Sequence, residues 1–442
     1  VNNNARRAAL LALMDFRTRP QTGADKPLNR RAAGLPPRDK ALAAQLVYGV
    51  IQNYRKLDAC IDLICEKRKV QPQVRDVLRL GVYQMLFLDK IPKSAAADQS
   101  VELGKYLKVN KGAQSFINAV LRNAAKWENA PVFDDPGVEY SHPDWLVKLY
   151  TEEFPERAVE LMKFNNTAPP AYLQLLKPEY REKLIEAGAC RGGLWPSDRS
   201  EQITDCRGGH WPPVQWEQFT YKGNIADLPG YKNGAFIVAD NAARLAVEIA
   251  APQKGERVLD ACAAPGGKSV MLYHASGGGI ELVCCDKYPY KVMELKETLA
   301  KHGMDGVQCN VVDAREHNPV FDGVFDLVLA DVPCSCLGII RKKPDIRFKE
   351  PSFGEPLAEI QRSIINNLSR YVSPGGRMVY VTCTVLSREN QDVVRDFLKV
   401  HTDFELEPFE TPYGSAPEGF FLTPFAEHDI DGFFYAKLRK IK

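Results

Sequence analysis

Apolar residues in the first 130 positions recur at helical spacing. Leu42, Leu46, Val47, Val50 and Ile51 form one stripe, Val74, Val77, Leu78, Val82, Leu86 and Phe87 a second, and Phe116, Ile117, Val120 and Leu121 a third. Residues three and four apart share one face of an α-helix, so each stripe predicts a helix that buries one side. Pro72 suits the first turn of the second helix, where its missing N–H has no intrahelical acceptor to lose. Ser94 is expected to cap a further helix through Val101 and Leu103, with Val109-Asn110-Lys111-Gly112 as its end. Such helices on short connections predict an all-α bundle over residues 1–130.

The texture changes over residues 131–235. Pro131, Pro136, Pro143, Pro155, Pro169 and Pro170 punctuate short helical pieces, and Gly192-Gly193, Gly208-Gly209 and Pro212-Pro213 mark turns. This stretch reads as a linker followed by a small mixed α/β domain. Trp195, Trp211 and Trp216 are expected to fill its core rather than to stack on bases.

Residues 236–442 alternate short apolar runs with helical stretches. Val258-Leu259-Asp260, Leu282-Val283-Cys284-Cys285-Asp286, Val311-Val312-Asp313, Leu327-Val328-Leu329-Ala330-Asp331 and Met378-Val379-Tyr380-Val381-Thr382 read as strands, each ending in a polar residue. Helices from Tyr290 to His302 and from Leu357 to Tyr371 separate them. This alternation predicts a parallel, doubly wound, Rossmann-like sheet, which binds ligands beyond the carboxyl ends of its strands. Asp260, Asp286, Asp313, Asp331 and Cys383 are expected on that rim.

Charge adds a second contrast between the halves. Residues 1–128 hold 23 Lys plus Arg against 11 Asp plus Glu, an excess of 12, while the whole chain stands at only +2. The basic residues Arg6, Arg7, Arg17, Arg19, Arg30, Arg31, Arg38, Lys67, Arg68, Lys69, Arg75 and Arg79 suit a phosphate backbone, although a solvated helical surface is the ordinary cause of such charge. No apolar run approaches the roughly 20 residues of a membrane span, and the chain opens with Asn and Arg, so a cytoplasmic location is expected. Eleven cysteines without a regular framework, two of them adjacent at Cys284-Cys285, suit a reducing compartment. No metal site is expected, because Cys334-x-Cys336 lacks a second pair and the seven His residues are scattered.

The chemistry concentrates at Asp260-Ala261-Cys262-Ala263-Ala264-Pro265-Gly266-Gly267-Lys268 and at two strand-end cysteines, Cys334 and Cys383. A phosphate-binding P-loop needs a glycine where Cys262 stands, and the Gly-x-Gly-x-x-Gly of a dinucleotide site is absent. What remains is a short turn of backbone amides with one Lys, which suits a carboxylate-bearing nucleoside such as S-adenosylmethionine. Around that cofactor the expected residues are Cys262, Ala263, Ala264, Pro265, Gly266, Gly267 and Lys268, with Asp286 at the ribose, Asp313 at the adenine amino group, and Asp331.

Taken together, that turn, Asp331-Val332-Pro333-Cys334, Arg341-Lys342-Lys343-Pro344-Asp345, Thr382-Cys383 with Glu389-Asn390, and Asp431-Gly432-Phe433-Phe434-Tyr435-Ala436-Lys437 resemble the bacterial RNA (cytosine-5) methyltransferases. The N-terminal pattern resembles the NusB-like RNA-binding domain. Ser141-His142-Pro143-Asp144-Trp145 resembles the linker that follows this domain in the 16S rRNA methyltransferase B (Sun/Fmu) family. The chain departs from the family pattern in three places. An Arg-x-Asn is missing near Pro169-Pro170-Ala171-Tyr172-Leu173-Gln174-Leu175, Cys336 stands where a small non-thiol residue is usual, and Thr384 stands where Ser is common.

The resemblance implies a reaction that uses both thiols. Cytosine C5 is a poor nucleophile until a thiolate adds to C6; after methyl transfer a base removes the C5 proton and the thiolate leaves. It also implies that Cys383 is the nucleophile, that Cys334 assists proton removal and release, and that Asp331 hydrogen-bonds the base near N3. Sequence alone does not order the thiols, and the reversed order found in DNA cytosine-5 methyltransferases is the competitor. Arg341, Lys342, Lys343 and Arg347 are expected to flank the entry of the flipped or looped-out base. The expected partner is 16S rRNA or an early small-subunit assembly intermediate, bound by a monomer with no membrane and no metal. Two other readings stay open: a related enzyme acting on tRNA or another rRNA site, and a non-catalytic NusB-like RNA-binding factor.

Overall fold

The computed structural model describes residues 4–66, 68–191, 217–221 and 223–441. These fall into two compact units, the first comprising Val1–Ala168 with Ile340–Ser352, the second Pro169–Ile339 with Phe353–Lys442. Among the described residues, no helix is long and apolar enough to cross a membrane.

The first unit is helical. It contains α1 (Asn4–Thr18), α2 (Asp25–Ala32), α3 (Pro37–Gln52), α4 (Tyr54–Cys65), α5 (Pro72–Phe87), α6 (Lys93–Tyr106), α7 (Lys111–Ala124), α8 (Pro136–Glu139), α9 (Asp144–Glu153) and α10 (Ala158–Phe164). Its core is built from the stripes legible in the sequence. Leu46, Val47, Val50 and Ile51 of α3, Val74, Val77, Leu78 and Val82 of α5, and Ile117, Val120 and Leu121 of α7 are buried, with Leu42, Leu86, Phe87 and Phe116 packed at the margin. Pro72 opens α5 as expected. Ser94 does not cap α6, which already begins at Lys93 after Pro92. Nor does Val109-Asn110-Lys111-Gly112 end that helix, since Asn110 caps α7 by accepting the Ala113 N–H at 2.8 Å.

Part of the basic character serves the interior. Arg79 is buried on the face of the Tyr54 ring, bonded to both Asp58 and Asp76, and Arg17 also reaches Asp76, at 2.9 Å. The expectation that Arg79 faces a phosphate backbone is therefore corrected: a guanidinium at its depth needs carboxylate partners, and it has them. Arg19, Arg30, Arg31, Arg38, Arg68 and Lys69 are exposed.

The same correction applies to Arg341 and Arg347, which were expected beside the entry of the base. Both are buried within the first unit. Arg341 lies over the Phe164 ring at 4.4 Å. Arg347 donates to the carbonyls of Gln52 and Asn165 and to the Asn166 side chain, and burial pushes its guanidinium down to about 9. Backbone carbonyls near helix ends lack intrahelical donors, and Arg347 supplies them. Lys343 is exposed and Lys342 half-buried. The Ser141-His142 motif is likewise structural: the Ser141 hydroxyl accepts the Lys56 N–H, and buried His142 bonds Tyr140 O and the Asn165 amide.

In the second unit, β1 (Tyr172–Leu175), β2 (Cys190–Arg191), β3 (Gln218–Thr220) and β4 (Phe236–Val238) form an antiparallel sheet in the order β2-β3-β1-β4. With α11 (Arg181–Glu186) this sheet buries Leu173, Leu184, Phe219 and Phe236. The segment without Arg-x-Asn is β1, whose residues are all buried. Trp195, Trp211 and Trp216, with Gly192-Gly193, Gly208-Gly209 and Pro212-Pro213, lie outside the described residues.

The larger sheet follows α12 (Asn241–Ala250). Its elements are β5 (Arg257–Asp260), α13 (Gly267–Ala275), β6 (Glu281–Asp286), α14 (Pro289–Lys301), β7 (Gln308–Val311), β8 (Phe325–Asp331), α15 (Glu355–Leu368), β9 (Val372–Thr382), α16 (Gln391–Val400) and β10 (Phe404–Leu406). A hairpin of β11 (Phe409–Thr411) and β12 (Gly414–Ala416) precedes β13 (Phe420–Leu422) and β14 (Phe434–Lys440). The order is β10-β14-β9-β8-β5-β6-β7, with β13 also on β14. Strands β5 to β9 pair in parallel as expected. The parallel expectation is corrected at the C-terminus, where β14 lies antiparallel beside β9. A second correction concerns the third strand, which ends at Val311, so Asp313 lies two residues beyond it. The order reverses between β5 and β8, the point at which such sheets open a ligand crevice.

Candidate active site

The candidate residues converge at the carboxyl ends of β5, β6, β8 and β9. Asp331 is the last residue of β8 and pairs in register with Val381 of β9. Val332 N–H continues the ladder to Val381 O at 3.1 Å. The chain then turns through Pro333 to Cys334, while β9 ends at Thr382 and delivers Cys383. Parallel pairing thus brings together two cysteines 49 positions apart, with Sγ atoms 3.1 Å from each other. The Cys383 N–H also donates to Cys334 Sγ at 3.2 Å.

A buried polar network fixes both cysteine loops. Glu389 accepts the Ser335 N–H and the Gln361 amide, each at 2.9 Å, and Gln361 also donates to Pro333 O. Thr382 donates to Asn390 at 2.6 Å, Asn390 donates to Thr384 O, and Ser335 and Thr384 share a hydroxyl bond of 2.7 Å. Glu389 and Asn390 belong to the motif read in the sequence. Gln361 was missed, because its helix shows only an amphipathic pattern. The Asp431-Gly432 motif has a matching role. Gly432 N–H bonds Gly338 O, Gly338 N–H bonds Cys383 O, and a Cβ on Gly338 would lie 1.8 Å from Gly432 O. Only glycine permits that approach.

Burial and mutual contact hold both thiols above the ordinary range. The hydrogen bond from Cys334 favours the Cys383 thiolate, although contact with Cys336 and burial more than offset it and hold that thiol up. Contacts with Cys336 and Cys383, and then burial, all push Cys334 up. Lys268 donates to Asp331 at 2.6 Å. Burial alone would lower the Lys268 ammonium, but the Asp331 carboxylate outweighs it and raises the group.

The turn between β5 and α13 carries Cys262, Ala263, Ala264, Pro265 and Gly266 into Gly267 and Lys268. Gly266 sits at φ +107, where a Cβ would also meet Leu295 at 2.9 Å, so the position requires glycine. Asp286 ends β6, buried, accepting the Tyr288 N–H at 3.2 Å. Asp313 is held by Arg315 and Lys287, and the Arg315 hydrogen bond in particular keeps its carboxyl well below the usual range.

Sequence and fold comparisons bear on this arrangement. The family described as 16S rRNA methyltransferase RsmB/F matches residues 247–439, and the NusB family matches residues 3–126. The probable ribosomal RNA small subunit methyltransferase B of Bacillus subtilis is 34% identical over 429 residues, covering 92% of both chains. The ribosomal RNA small subunit methyltransferase B of Vibrio cholerae is 32% identical, covering 91% of this chain and 90% of its own. The chain belongs to the ribosomal RNA small subunit methyltransferase B family. It is accordingly an RNA methyltransferase with a NusB domain, and S-adenosylmethionine is its cofactor. Among solved structures, PH0851 shares the fold over all of this chain and 99% of its own (TM-score 0.77, 23% identity). NSun6 from Pyrococcus horikoshii, solved with SFG, covers 68% of this chain and 98% of its own (TM-score 0.56, 18% identity).

The donor set of this family member fits that cofactor. Helix α13 has no side-chain cap at Gly266, so the N–H groups of its first turn have no acceptor within the helix and face the crevice as an anion site. A Cβ on Gly267 would meet nothing closer than 3.9 Å, so no internal contact demands a glycine there. The omission of a side chain leaves room for a ligand. Asp286, at the end of the next strand, sets a carboxylate on the same rim.

Proposed function

We propose that this enzyme forms 5-methylcytosine at one cytosine of 16S rRNA, with Cys383 as nucleophile, Cys334 as the thiol that completes turnover, and Asp331 as the group that holds the base. The reading rests chiefly on the 3.1 Å contact of Cys383 and Cys334 at the end of paired strands, beside the Lys268–Asp331 pair. Gly266, Gly267 and Lys268 hold the methionine end of the cofactor, Asp286 its ribose and Asp313 its adenine amino group, with Cys262 to Pro265 shaping the turn.

S-adenosylmethionine supplies an electrophilic methyl group. The protein supplies the rest. Cys383 adds to C6 as its proton passes by way of Asp331 to N3, the new N3–H then donates to the Asp331 carboxylate, and the electron density moved into the ring makes C5 nucleophilic. Once C5 is methylated, its remaining proton must leave before the C6–S bond can break, and Cys334 assists that step.

The NusB domain and the small antiparallel sheet contribute RNA contacts, with residues 1–130, 131–235 and 236–442 as the working domains. The enzyme acts as a monomer in the cytoplasm on 16S rRNA or an early assembly intermediate, and catalysis needs no metal. Purified enzyme with radiolabelled S-adenosylmethionine should label 16S rRNA but not tRNA, and nuclease digestion should recover the label as 5-methylcytidine. Label in tRNA alone, or in another nucleoside, would refute the assignment.

A further inference from the structure

We propose that Cys334, Cys336 and Cys383 form a three-thiolate site for a thiophilic metal ion, zinc in particular. The sequence shows only Cys334-x-Cys336, and the third ligand comes from the neighbouring strand. Cys383 Sγ lies 3.1 Å from Cys334 Sγ and 3.4 Å from Cys336 Sγ, and all three sulfurs lie within 4.8 Å of one another. Sulfurs bound to one tetrahedral zinc at 2.3 Å stand about 3.8 Å apart, so each needs to move by only a few tenths of an ångström.

Cys336 is the residue that turns a catalytic pair into a chelating trio. Its backbone is left-handed, at φ +60, a conformation that a β-carbon disfavours. The turn is closed by Ile339 N–H to Cys336 O at 3.1 Å and tied to the nucleophile's loop by Gly338 N–H to Cys383 O at 3.0 Å. The Cys336 sulfur lies 3.5 Å from Cys334 O, on the side of the turn that meets Cys383. Cys336 and Cys383 are partly exposed, which leaves a fourth position for water. Thiolates select zinc or copper(I) over magnesium and calcium. Each thiol releases its proton to solvent as the ion binds, and three thiolates around Zn2+ carry one net negative charge.

The consequence is reversible masking: zinc bound here occupies the sulfur that must attack cytosine. That consequence rests on Cys383 being the nucleophile, whereas the metal site itself does not.

The test uses the full chain, reduced with a phosphine and stripped of metal, with Co2+ as spectroscopic probe and Zn2+ as competitor. One equivalent of Co2+ should give thiolate-to-cobalt charge-transfer absorption that Zn2+ abolishes. Cys336→Ser and Cys336→Gly should weaken zinc binding roughly 100-fold or more, as expected for loss of one ligand, with circular dichroism unchanged. The glycine variant suits the left-handed backbone and guards against misfolding. No charge-transfer band in the parent, or the same band and affinity in both variants, would overturn the site. Zinc that binds as described yet leaves methyl transfer intact would refute the masking and the role of Cys383, but not the site.

Discussion

Lys268 Nζ lies 2.6 Å from Asp331 Oδ2, joining the first turn of α13 to the end of β8 across the point where strand order reverses. The pair is largely shielded, so loss of either partner leaves a poorly solvated charge. Lys268→Met should lower kcat/KM by roughly tenfold to a hundredfold, about 1.5–3 kcal/mol. The double variant Lys268→Met, Asp331→Asn should lose much less than the sum of the single losses. Strictly additive effects in that cycle would show that the two groups act separately.

Asp286 closes β6 with its carboxylate beside the crevice. If it receives the ribose, Asp286→Ala should weaken S-adenosylmethionine binding by about 1.5–3 kcal/mol, roughly ten- to more than a hundredfold. Calorimetry on the folded variant measures this directly. An unchanged affinity would remove Asp286 from the cofactor site.

Asp260 carries a pH signature. Burial lifts its carboxyl to about 7, against a hydrogen bond from Ser269 at 2.6 Å. In the unfolded chain the group titrates near pH 3.9. Between those values the folded state keeps a proton that the unfolded state has lost. The contribution of Asp260 is therefore fully present below about pH 3.9 and is lost as pH rises through about 7, a change on the order of 4 kcal/mol. Urea unfolding at pH 5 and pH 8 should show a smaller pH difference in Asp260→Asn than in the parent. Equal differences would contradict the raised value.

The sequence carried the helical stripes through their 3.6-residue period and the parallel strands as short apolar runs closed by a polar residue. It carried much less about side chains whose role depends on contacts distant in the chain. Arg347 and Arg341 lie in a basic run that reads as solvent-facing, yet both are buried, Arg347 on carbonyls some 180 to 300 positions away. Cys336 looked like an isolated departure until β9 placed Cys383 beside it. The Gly338–Gly432 contact was equally hidden, since neither glycine sits in a recognisable turn signal.

The basic N-terminal unit predicts a contrast between two arginines. Arg38 is exposed, and Arg38→Ala should reduce RNA affinity and lower the salt slope by about one if it meets a phosphate. Arg79 is buried on Asp58 and Asp76, and Arg79→Ala should instead destabilise the fold by about 3–5 kcal/mol, as removal of one partner from a buried pair does. Filter binding across a salt series and urea unfolding separate the two. The reverse pattern would place Arg79 on RNA.

The division of labour between the two adjacent thiols is the centre of the account. Cys383→Ala removes the sulfur that bonds C6, so no covalent enzyme–RNA species can form. Cys334→Ala leaves that sulfur in place but slows proton removal and release, so the methylated adduct accumulates. With S-adenosylmethionine and 16S rRNA, denaturing electrophoresis should show a protein–RNA band for Cys334→Ala and none for Cys383→Ala, and single-turnover assays should find the methyl group within the Cys334→Ala band. A stable, methylated band from Cys383→Ala with none from Cys334→Ala would reverse the roles and contradict the mechanism.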